Sequence, residues 1–182
     1  TCIDNPKGLP AIKIDEPTIS MNFSHNTSPL TGKDGGRFLT SRHMRERLIH
    51  EAMINVGIKV DEVTDSDRLK VSGRGELHLA ILIETMRREG YEMEVSKPQV
   101  ILKKMGGKTL EPVEEVVIEV DSEYQGAVMQ SLGGRKAQMR DMKTTSSGTL
   151  RMEFIIASRA LIGFRSDFLL MTRGTGIMYQ NF

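Results

Sequence analysis

The first half of the chain alternates between short strand-like patterns and longer helical ones. The predicted elements are, in order, a strand at 18–24, a helix capped by Thr40 or Ser41 and stopped by Gly57, strands at 58–63 and 69–72, a helix at 76–89 and a strand at 91–95. This order is typical of the split βαβ arrangement, a small antiparallel sheet with both helices on one face.

The same order of elements recurs in the second half, with different residues. The predicted elements are a strand at 113–120, a helix at 124–132, a hairpin with strands at 136–143 and 149–156, a helix at 158–170 and a strand at 176–182. We therefore predict an α+β fold with two ferredoxin-like βαββαβ domains in tandem. The predicted domains cover residues 16–96 and 111–182, with a connector at 97–110 between them.

Two of these helices carry more specific expectations. Apolar residues occupy more than one stripe of the helix at 76–89, so we expect it to be buried on most of its sides. Ser158 is expected to cap a single helix that runs through Leu170 and is ended by Gly174.

Charge is balanced overall but unevenly distributed along the chain. The 182 residues are 38% hydrophobic and carry a formal net charge of +1. Residues 111–134 contribute −6, whereas residues 135–182 contribute +5. Local fields of this kind, more than the total charge, decide which partners a surface attracts.

Cysteine content and hydropathy indicate a cytoplasmic protein with no membrane partner. Cys2 is the single cysteine, which excludes an internal disulfide and suits a reducing compartment. No apolar run approaches the roughly 18–20 residues needed to span a bilayer. The chain starts at Thr1 and stops at Phe182 inside a predicted strand, so we expect it to be a piece of a longer protein.

No motif predicts a nucleotide, metal or catalytic site within these residues. Gly107-Lys108-Thr109 matches the end of a phosphate-binding loop, but the required upstream glycine is replaced by Leu102. No aspartate is followed three residues later by glycine, so the Asp-x-x-Gly motif that lies near Mg²⁺ in GTPases is also missing. The four histidines lack the spacing of a zinc site. We expect no cofactor and no enzymatic activity in this chain.

Basic residues cluster at two places. The first cluster surrounds the start of the first helix and consists of Arg37, Arg42, Arg45 and Arg47; cations there oppose the helix dipole unless an anionic partner is present. The second cluster extends from the end of the third predicted helix into the fourth predicted helix. It consists of Arg135, Lys136, Arg140, Lys143, Arg159 and Arg165. Ordinary solvated surface and phosphate contact both remain open, and the scarcity of neighbouring acids favours RNA.

Three longer motifs resemble one family. Residues 71–79, Val-Ser-Gly-Arg-Gly-Glu-Leu-His-Leu, resemble the third-domain signature of translational GTPases related to elongation factor G, and residues 16–21 resemble the opening of that domain. Residues 161–168, Leu-Ile-Gly-Phe-Arg-Ser-Asp-Phe, resemble a signature of the BipA/TypA branch. A short connector separates the two predicted domains, as in BipA and LepA. In elongation factor G, a large domain lies at that position.

The resemblance implies a ribosome-associated GTPase involved in large-subunit assembly and in growth under stress or at low temperature. Its GTPase domain, with GTP and Mg²⁺, would precede this chain, and a family-specific C-terminal domain would follow it. Residues 1–15 would be the tail of a preceding β-barrel domain. This chain would then hold the third and fifth domains, which bind the ribosome and do not hydrolyse GTP.

The resemblance also assigns roles to residues. Large-subunit rRNA and proteins would be contacted by the second cluster of cations, from Arg135 to Arg165. The GTPase domain, a neighbouring domain or the small ribosomal subunit would be contacted by a second set of residues: Arg37, Arg42, Arg45, Gly73, Gly75, Glu76 and His78. Gly73 and Gly75 are compatible with a positive φ, a close approach or a plain tight turn, and Arg165 is compatible with a structural ion pair to Asp167 or Glu153.

Two other classes of function remain as alternatives. Paired ferredoxin-like domains can form a regulatory module that binds a small ligand, which predicts a shared sheet and an apolar pocket at the domain junction. An acylphosphatase-like enzyme of the same fold would need an anion-binding loop directly after the first strand, with an arginine in that loop to bind the anion. Arg37 stands far along a long loop, which disfavours that alternative.

Overall fold

The computed structural model describes residues 16–182, apart from Asp34, Asp65 and Ser147. The β-barrel tail predicted at residues 1–15 lies outside the described residues. The described part forms two separate antiparallel sheets, each covered by helices, and a small hairpin between them. The sheet shared by both domains that a small-ligand module predicts is therefore not formed by these residues.

The first domain has the predicted order of elements: β1 (Ile19–His25), α1 (Ser41–Ile54), β2 (Lys59–Glu62), β3 (Leu69–Gly73), α2 (Glu76–Glu89) and β4 (Met93–Val95). The strands lie side by side in the order β2-β3-β1-β4. Thr40 begins α1, because its side chain accepts a hydrogen bond from the backbone N–H of His43 at 3.3 Å. Gly90 ends α2 with a left-handed φ of 96°, as the sequence predicts.

The segment predicted as a connector contains three short strands: β5 (Gln99–Val100), β6 (Lys103–Met105) and β7 (Lys108–Leu110). β5 extends the first sheet, because Val100 pairs with Ile19 of β1. β6 and β7 form an exposed hairpin, turned by Gly106 and Gly107 with φ of 56° and 76°.

The second domain repeats the topology of the first. Its elements are β8 (Val113–Val120), a short 3₁₀ helix (Ser122–Tyr124), α3 (Gln125–Gly134), β9 (Gln138–Thr144), β10 (Leu150–Ala157), α4 (Ser158–Leu161), α5 (Phe164–Met171) and β11 (Ile177–Asn181). The strand order is β11-β8-β10-β9, which is equivalent to the order in the first sheet. The prediction of two ferredoxin-like domains in tandem is confirmed.

Each domain has its own hydrophobic core between one sheet face and the helices. In the first domain Phe23 and Val71 from the sheet pack with Leu48, Leu79 and Met86 from the helices. In the second domain the core consists mainly of Val116, Ile118, Met152 and Phe154 from the sheet and Val128, Leu132, Phe164 and Phe168 from the helices. Alternate residues of β8 and β10 supply this core, because side chains alternate between the faces of a sheet.

The prediction of a single helix from Ser158 to Leu170 is wrong. Gly163 adopts a left-handed φ of 74° and divides the segment into α4 and α5. Residues other than glycine rarely adopt this conformation, so the bend depends on the absence of a side chain. Ser158 is the first residue of α4 rather than its cap, and its Oγ has no hydrogen-bond partner among the described residues.

The prediction that α2 is buried on most of its sides is also wrong. Leu79, Leu82 and Met86 are buried, whereas Leu77 and Ile81 are 51% and 56% exposed. The sheet covers only one face of the helix, and the exposed apolar residues lie on the part that adjoins the second domain. The extra apolar stripe therefore marks a domain junction and not a deeper core.

Candidate functional site

Arg135 is held by contacts within the second domain. Its guanidinium donates to the backbone carbonyls of Ala160 and Ile162 at 2.7 and 3.4 Å and to the Asp167 carboxylate at 2.8 Å. It also lies 5.2 Å from the centre of the Phe164 ring. Arg135 thus ties the end of α3 to the bend between α4 and α5.

Lys136 and Arg140 present their charges to solvent. Both are exposed, and neither forms an ion pair with any residue that the structure describes. Lys136 follows α3 with a φ of 62°. Arg140 is the extra residue where the register of β9 against β10 shifts, since Asp141 pairs with Glu153 and Met139 with Phe154. A bulge of this kind redirects a side chain away from the regular ladder.

Lys143 and Arg159 are paired with carboxylates on the surface. Lys143 contacts Asp141, which raises the pKa of the lysine and lowers that of the aspartate. Arg159 contacts Glu111 at 2.6 Å. Exposed pairs of this kind contribute little to stability, so another anion can replace the carboxylate at small cost.

Arg165 is exposed near the start of α5 and has no ion pair among residues 16–182 as described. The two partners that the sequence leaves open are already engaged: Asp167 with Arg135 and Glu153 with Arg151. We name Lys136, Arg140 and Arg165 the open cations. Whether any of the six predicted residues contacts RNA stays a prediction.

The cations at the start of α1 have carboxylate partners. Arg42 pairs with Glu46 at 2.9 Å and Arg45 with Glu62 at 2.8 Å, and all four side chains are largely exposed. The backbone N–H of Arg37 donates to the carbonyl of Gly90 at 2.8 Å and so joins the loop before α1 to the end of α2. The glutamates offset the unfavourable position of these cations on the helix dipole.

Arg47 has a structural role that its sequence position does not reveal. Its guanidinium contacts Glu51 at 2.9 Å and both carboxylate oxygens of Glu89, at 2.7 and 2.9 Å. The Arg47 hydrogen bonds lower the pKa of both glutamates. This partly buried cluster fixes α1 against α2. The four-residue spacing of Arg47 and Glu51 on a helix could have predicted their ion pair. The pair with Glu89 could not be predicted in this way, because Glu89 is distant in sequence.

Gly73 and Gly75 lie close to other side chains and do not adopt a positive φ. A Cβ on Gly73 would lie 3.0 Å from Leu79 Cδ2, and one on Gly75 would lie 3.3 Å from Nε2 of Gln180 in the second domain. Gly75 itself is extended, with a φ of −177°. The next residue, Glu76, accepts a hydrogen bond from the backbone N–H of Gly163 at 2.8 Å. The predicted motif therefore forms part of the junction between the domains.

His78 borders an exposed apolar patch at the end of α1. Met53, Ile54 and Val56 are 77%, 66% and 76% exposed, and the adjoining open groove is lined in part by Ile54, Val56, Arg74 and His78. The Asn55 side-chain amide lies 3.1 Å from His78 Nε2. Burial, and then the charge of Arg74, lower the pKa of His78, which favours a neutral imidazole. We name Met53, Ile54 and Val56 the α1-end patch.

The described residues show no arrangement typical of a metal site or a membrane span. Within residues 16–182, leaving aside the three undescribed positions, no group of three or more His, Cys, Asp or Glu side chains is placed to hold a metal ion. None of the helices in the same part of the chain combines the length and the hydropathy needed to cross a membrane.

Comparison with known proteins identifies the class of the second domain. Residues 108–182 match the family described as elongation factor G C-terminus. A crystal structure of a protein from Thermus thermophilus superposes with a TM-score of 0.54, covering 98% of this chain and 42% of that one, at 12% sequence identity. At this identity the superposition supports the fold alone.

Curated relatives identify the family of the whole chain. Three proteins named large ribosomal subunit assembly factor BipA match it: from Escherichia coli K12 at 50% identity over 98% of the chain, from Haemophilus influenzae at 51% over 99%, and from Synechocystis PCC 6803 at 50% over 100%. The chain belongs to the BipA family, as its motifs predict. It spans 29–30% of the length of these relatives.

Proposed function

We propose that this chain is the ribosome-docking part of a BipA-type translational GTPase, contacting large-subunit rRNA and proteins through its second domain. The observation that carries the proposal is about 50% identity to large-subunit assembly factors over nearly the whole chain. GTP and Mg²⁺ would be bound in a domain outside these residues, in the cytoplasm, and the complete protein would act in large-subunit assembly under stress or cold.

The charges of the second domain support docking on RNA. The open cations project from a bulge, a helix end and the start of α5, and the surface pairs of Lys143 and Arg159 can exchange their carboxylates for phosphate. Guanidinium groups match phosphate oxygens in two-pronged contacts. The guanidinium of Arg135 is already bonded to groups of its own domain. We therefore propose that Arg135 positions this surface and that the open cations supply most of the phosphate contacts.

Co-sedimentation with isolated large ribosomal subunits over a series of salt concentrations tests this proposal. The variant carries Lys136→Glu, Arg140→Glu and Arg165→Glu. Because each neutralised phosphate releases counterions, we expect weaker association and a salt dependence reduced by roughly one unit of slope per lost contact. A control variant with Lys33→Glu, Lys70→Glu and Lys104→Glu changes the net charge equally. Equal binding by the two variants would remove the open cations from the interface.

We further propose that the α1-end patch faces the GTPase domain and relays its nucleotide state. Contiguous exposed apolar residues usually mark an interaction surface. Here they adjoin His78 and the Gly73–Glu76 segment, which also touches the second domain. The segment is thus placed to couple a partner at the α1-end patch to the second domain.

The second proposal is tested in the complete GTPase by ribosome-stimulated GTP hydrolysis. Burying a valine side chain contributes about 1.5–3 kcal/mol, so we expect Val56→Asp to lower stimulation about tenfold or more. Leu170→Asp is the control, because Leu170 is 78% exposed at the end of α5 in the second domain. Unchanged stimulation in the Val56 variant would exclude the patch from the relay.

A further inference from the structure

A cavity of about 370 Å³ lies between the two domains. Its apolar walls come from Ile19, Leu77 and Ala80 of the first domain and from Leu161 and Ile162 of the second. This volume is within the range of small-molecule sites, which are mainly apolar with a few placed polar groups. Leu77, one of the exposed apolar residues of α2, lies in the wall of this cavity.

Two buried polar side chains from the second domain line this cavity. Glu114 belongs to the inward-facing row of β8 and is 4% exposed, and Ser158 at the start of α4 is fully buried. Glu114 has no cationic partner in the described part of the chain. Ser158 Oγ makes no hydrogen bond of normal geometry with the described residues, although it is near enough to the Glu114 carboxyl to influence its pKa. Buried polar groups of this kind normally have partners.

The charges around the cavity favour a cation. The charged residues that line it are Glu76, Glu114 and Arg165, so acids outnumber bases among the described residues. Arg165 is exposed, and Glu76 is engaged with the N–H of Gly163, which leaves Glu114 as the buried charge without a cationic partner among the described residues. An uncompensated buried carboxylate is unfavourable, and a ligand that brings a positive charge removes that penalty.

We propose that this cavity binds a small primary amine with an apolar body, whose ammonium group contacts the Glu114 carboxylate and Ser158 Oγ. An ammonium group has three donors, so both oxygens can be satisfied together. The apolar body would lie against Leu77 and Ala80 on one side and Leu161 and Ile162 on the other. Since both domains supply the walls, a bound amine would hold the domains together.

The protonation behaviour of Glu114 is consistent with this site. Burial raises the pKa of Glu114 above its ordinary value, as expected for a carboxyl without a counter-charge. A bound ammonium group would favour the carboxylate and lower that pKa. The cavity shares Arg165 with the open cations, but the groups that would bind the ammonium group, Glu114 and Ser158, are not among the residues proposed for ribosomal contact.

Titration of the chain with phenethylamine at neutral pH, followed by amide NMR, tests the proposal. We expect saturable shifts of amides in both domains, around Ala80 and around Ser158. Hydrogen bonds to charged groups contribute about 1.5–3 kcal/mol, so Glu114→Gln should weaken binding about tenfold or more. Glu115→Gln should bind as the wild type does, because Glu115 is exposed on the opposite face of β8.

A second variant and two further probes make the test decisive. Ala80→Phe should abolish binding by filling the cavity while leaving Glu114 unchanged. Phenethyl alcohol and 3-phenylpropionate, which share the apolar body, should bind about tenfold more weakly or not at all. The proposal is overturned if phenethylamine causes no saturable shifts, if the Ala80 variant binds it normally, or if the alcohol or the acid binds as well as the amine.

Discussion

The carboxylate of Glu76 accepts a hydrogen bond from the backbone N–H of Gly163 at 2.8 Å, across the boundary between the two domains. Glu76 begins α2, and Gly163 precedes α5, so one contact joins the starts of two helices. Both residues belong to motifs that resemble family signatures. The two motifs therefore meet in space although 87 positions separate the bonded residues.

Removing this acceptor should loosen the junction. We expect Glu76→Ala to destabilise the chain by about 1 kcal/mol in urea unfolding, since the N–H of Gly163 loses its partner. The amide of Gly163 should also exchange its hydrogen faster. Glu76→Gln keeps an acceptor oxygen and should show a smaller effect on both measurements. Unchanged exchange at Gly163 in the alanine variant would contradict the contact.

Arg135 should prove to be a structural residue. We expect Arg135→Lys to destabilise the second domain by about 1–3 kcal/mol, because lysine cannot donate to two carbonyls and a carboxylate in the same planar geometry. Urea unfolding at neutral pH measures this. Arg140→Lys is the matched control and should be neutral within about 0.5 kcal/mol, as expected for an exposed side chain. Equal stabilities of the two variants would contradict the role of Arg135.

Glu114 should make the stability of the second domain depend on pH. The folded state raises the pKa of Glu114 above its ordinary value of 4.5. The folded state therefore holds a proton that the unfolded state has released, and the stability from this group decreases as the pH rises from 4.5 through the folded pKa.

The Glu114→Gln variant isolates this effect. Glutamine does not ionise, so we expect the variant to be more stable than the wild type at neutral pH, with a difference that shrinks as the pH falls towards 4.5. A change of one pKa unit corresponds to about 1.4 kcal/mol. Urea unfolding at several pH values measures the difference, and Glu115→Gln serves as the exposed control. A constant difference would show that ionisation of Glu114 is not responsible.

Gly163 should be intolerant of a side chain. Its φ of 74° is unfavourable for alanine, so we expect Gly163→Ala to destabilise the chain by about 1 kcal/mol. Gly133→Ala should instead be neutral or stabilise by up to about 1 kcal/mol, because Gly133 lies in α3 and an added Cβ meets nothing within 4 Å. Thermal unfolding of both variants checks the opposite signs.

Local patterns were sufficient to predict the βαββαβ order of the main elements in both domains. The strand predicted at 113–120 matches β8, since its alternation reflects one buried face. The helix predicted at 76–89 matches α2, which Gly90 follows in the left-handed conformation that glycine readily adopts. These features depend on residues that are neighbours in sequence, so they can be predicted from the sequence alone.

Features that depend on distant partners were not predictable in the same way. The Arg135 guanidinium bonds to Ala160 and Asp167, which lie 25 and 32 positions further along the chain. The bend that places these acceptors requires Gly163 to be left-handed, whereas an isolated glycine in a helical pattern is usually tolerated. The exposure of Leu77 depends on the second domain, which the helical pattern of α2 cannot show.

The bulge at Arg140 also affects how the second sheet ends. β9 is an edge strand that pairs with β10 on one side. A regular edge strand offers a row of free backbone groups to which a strand of another molecule can add. The bulge interrupts that row and places a charge within it, while Lys143 adds a second charge nearby. The surface that we propose for RNA thereby also protects the protein against edge-to-edge aggregation.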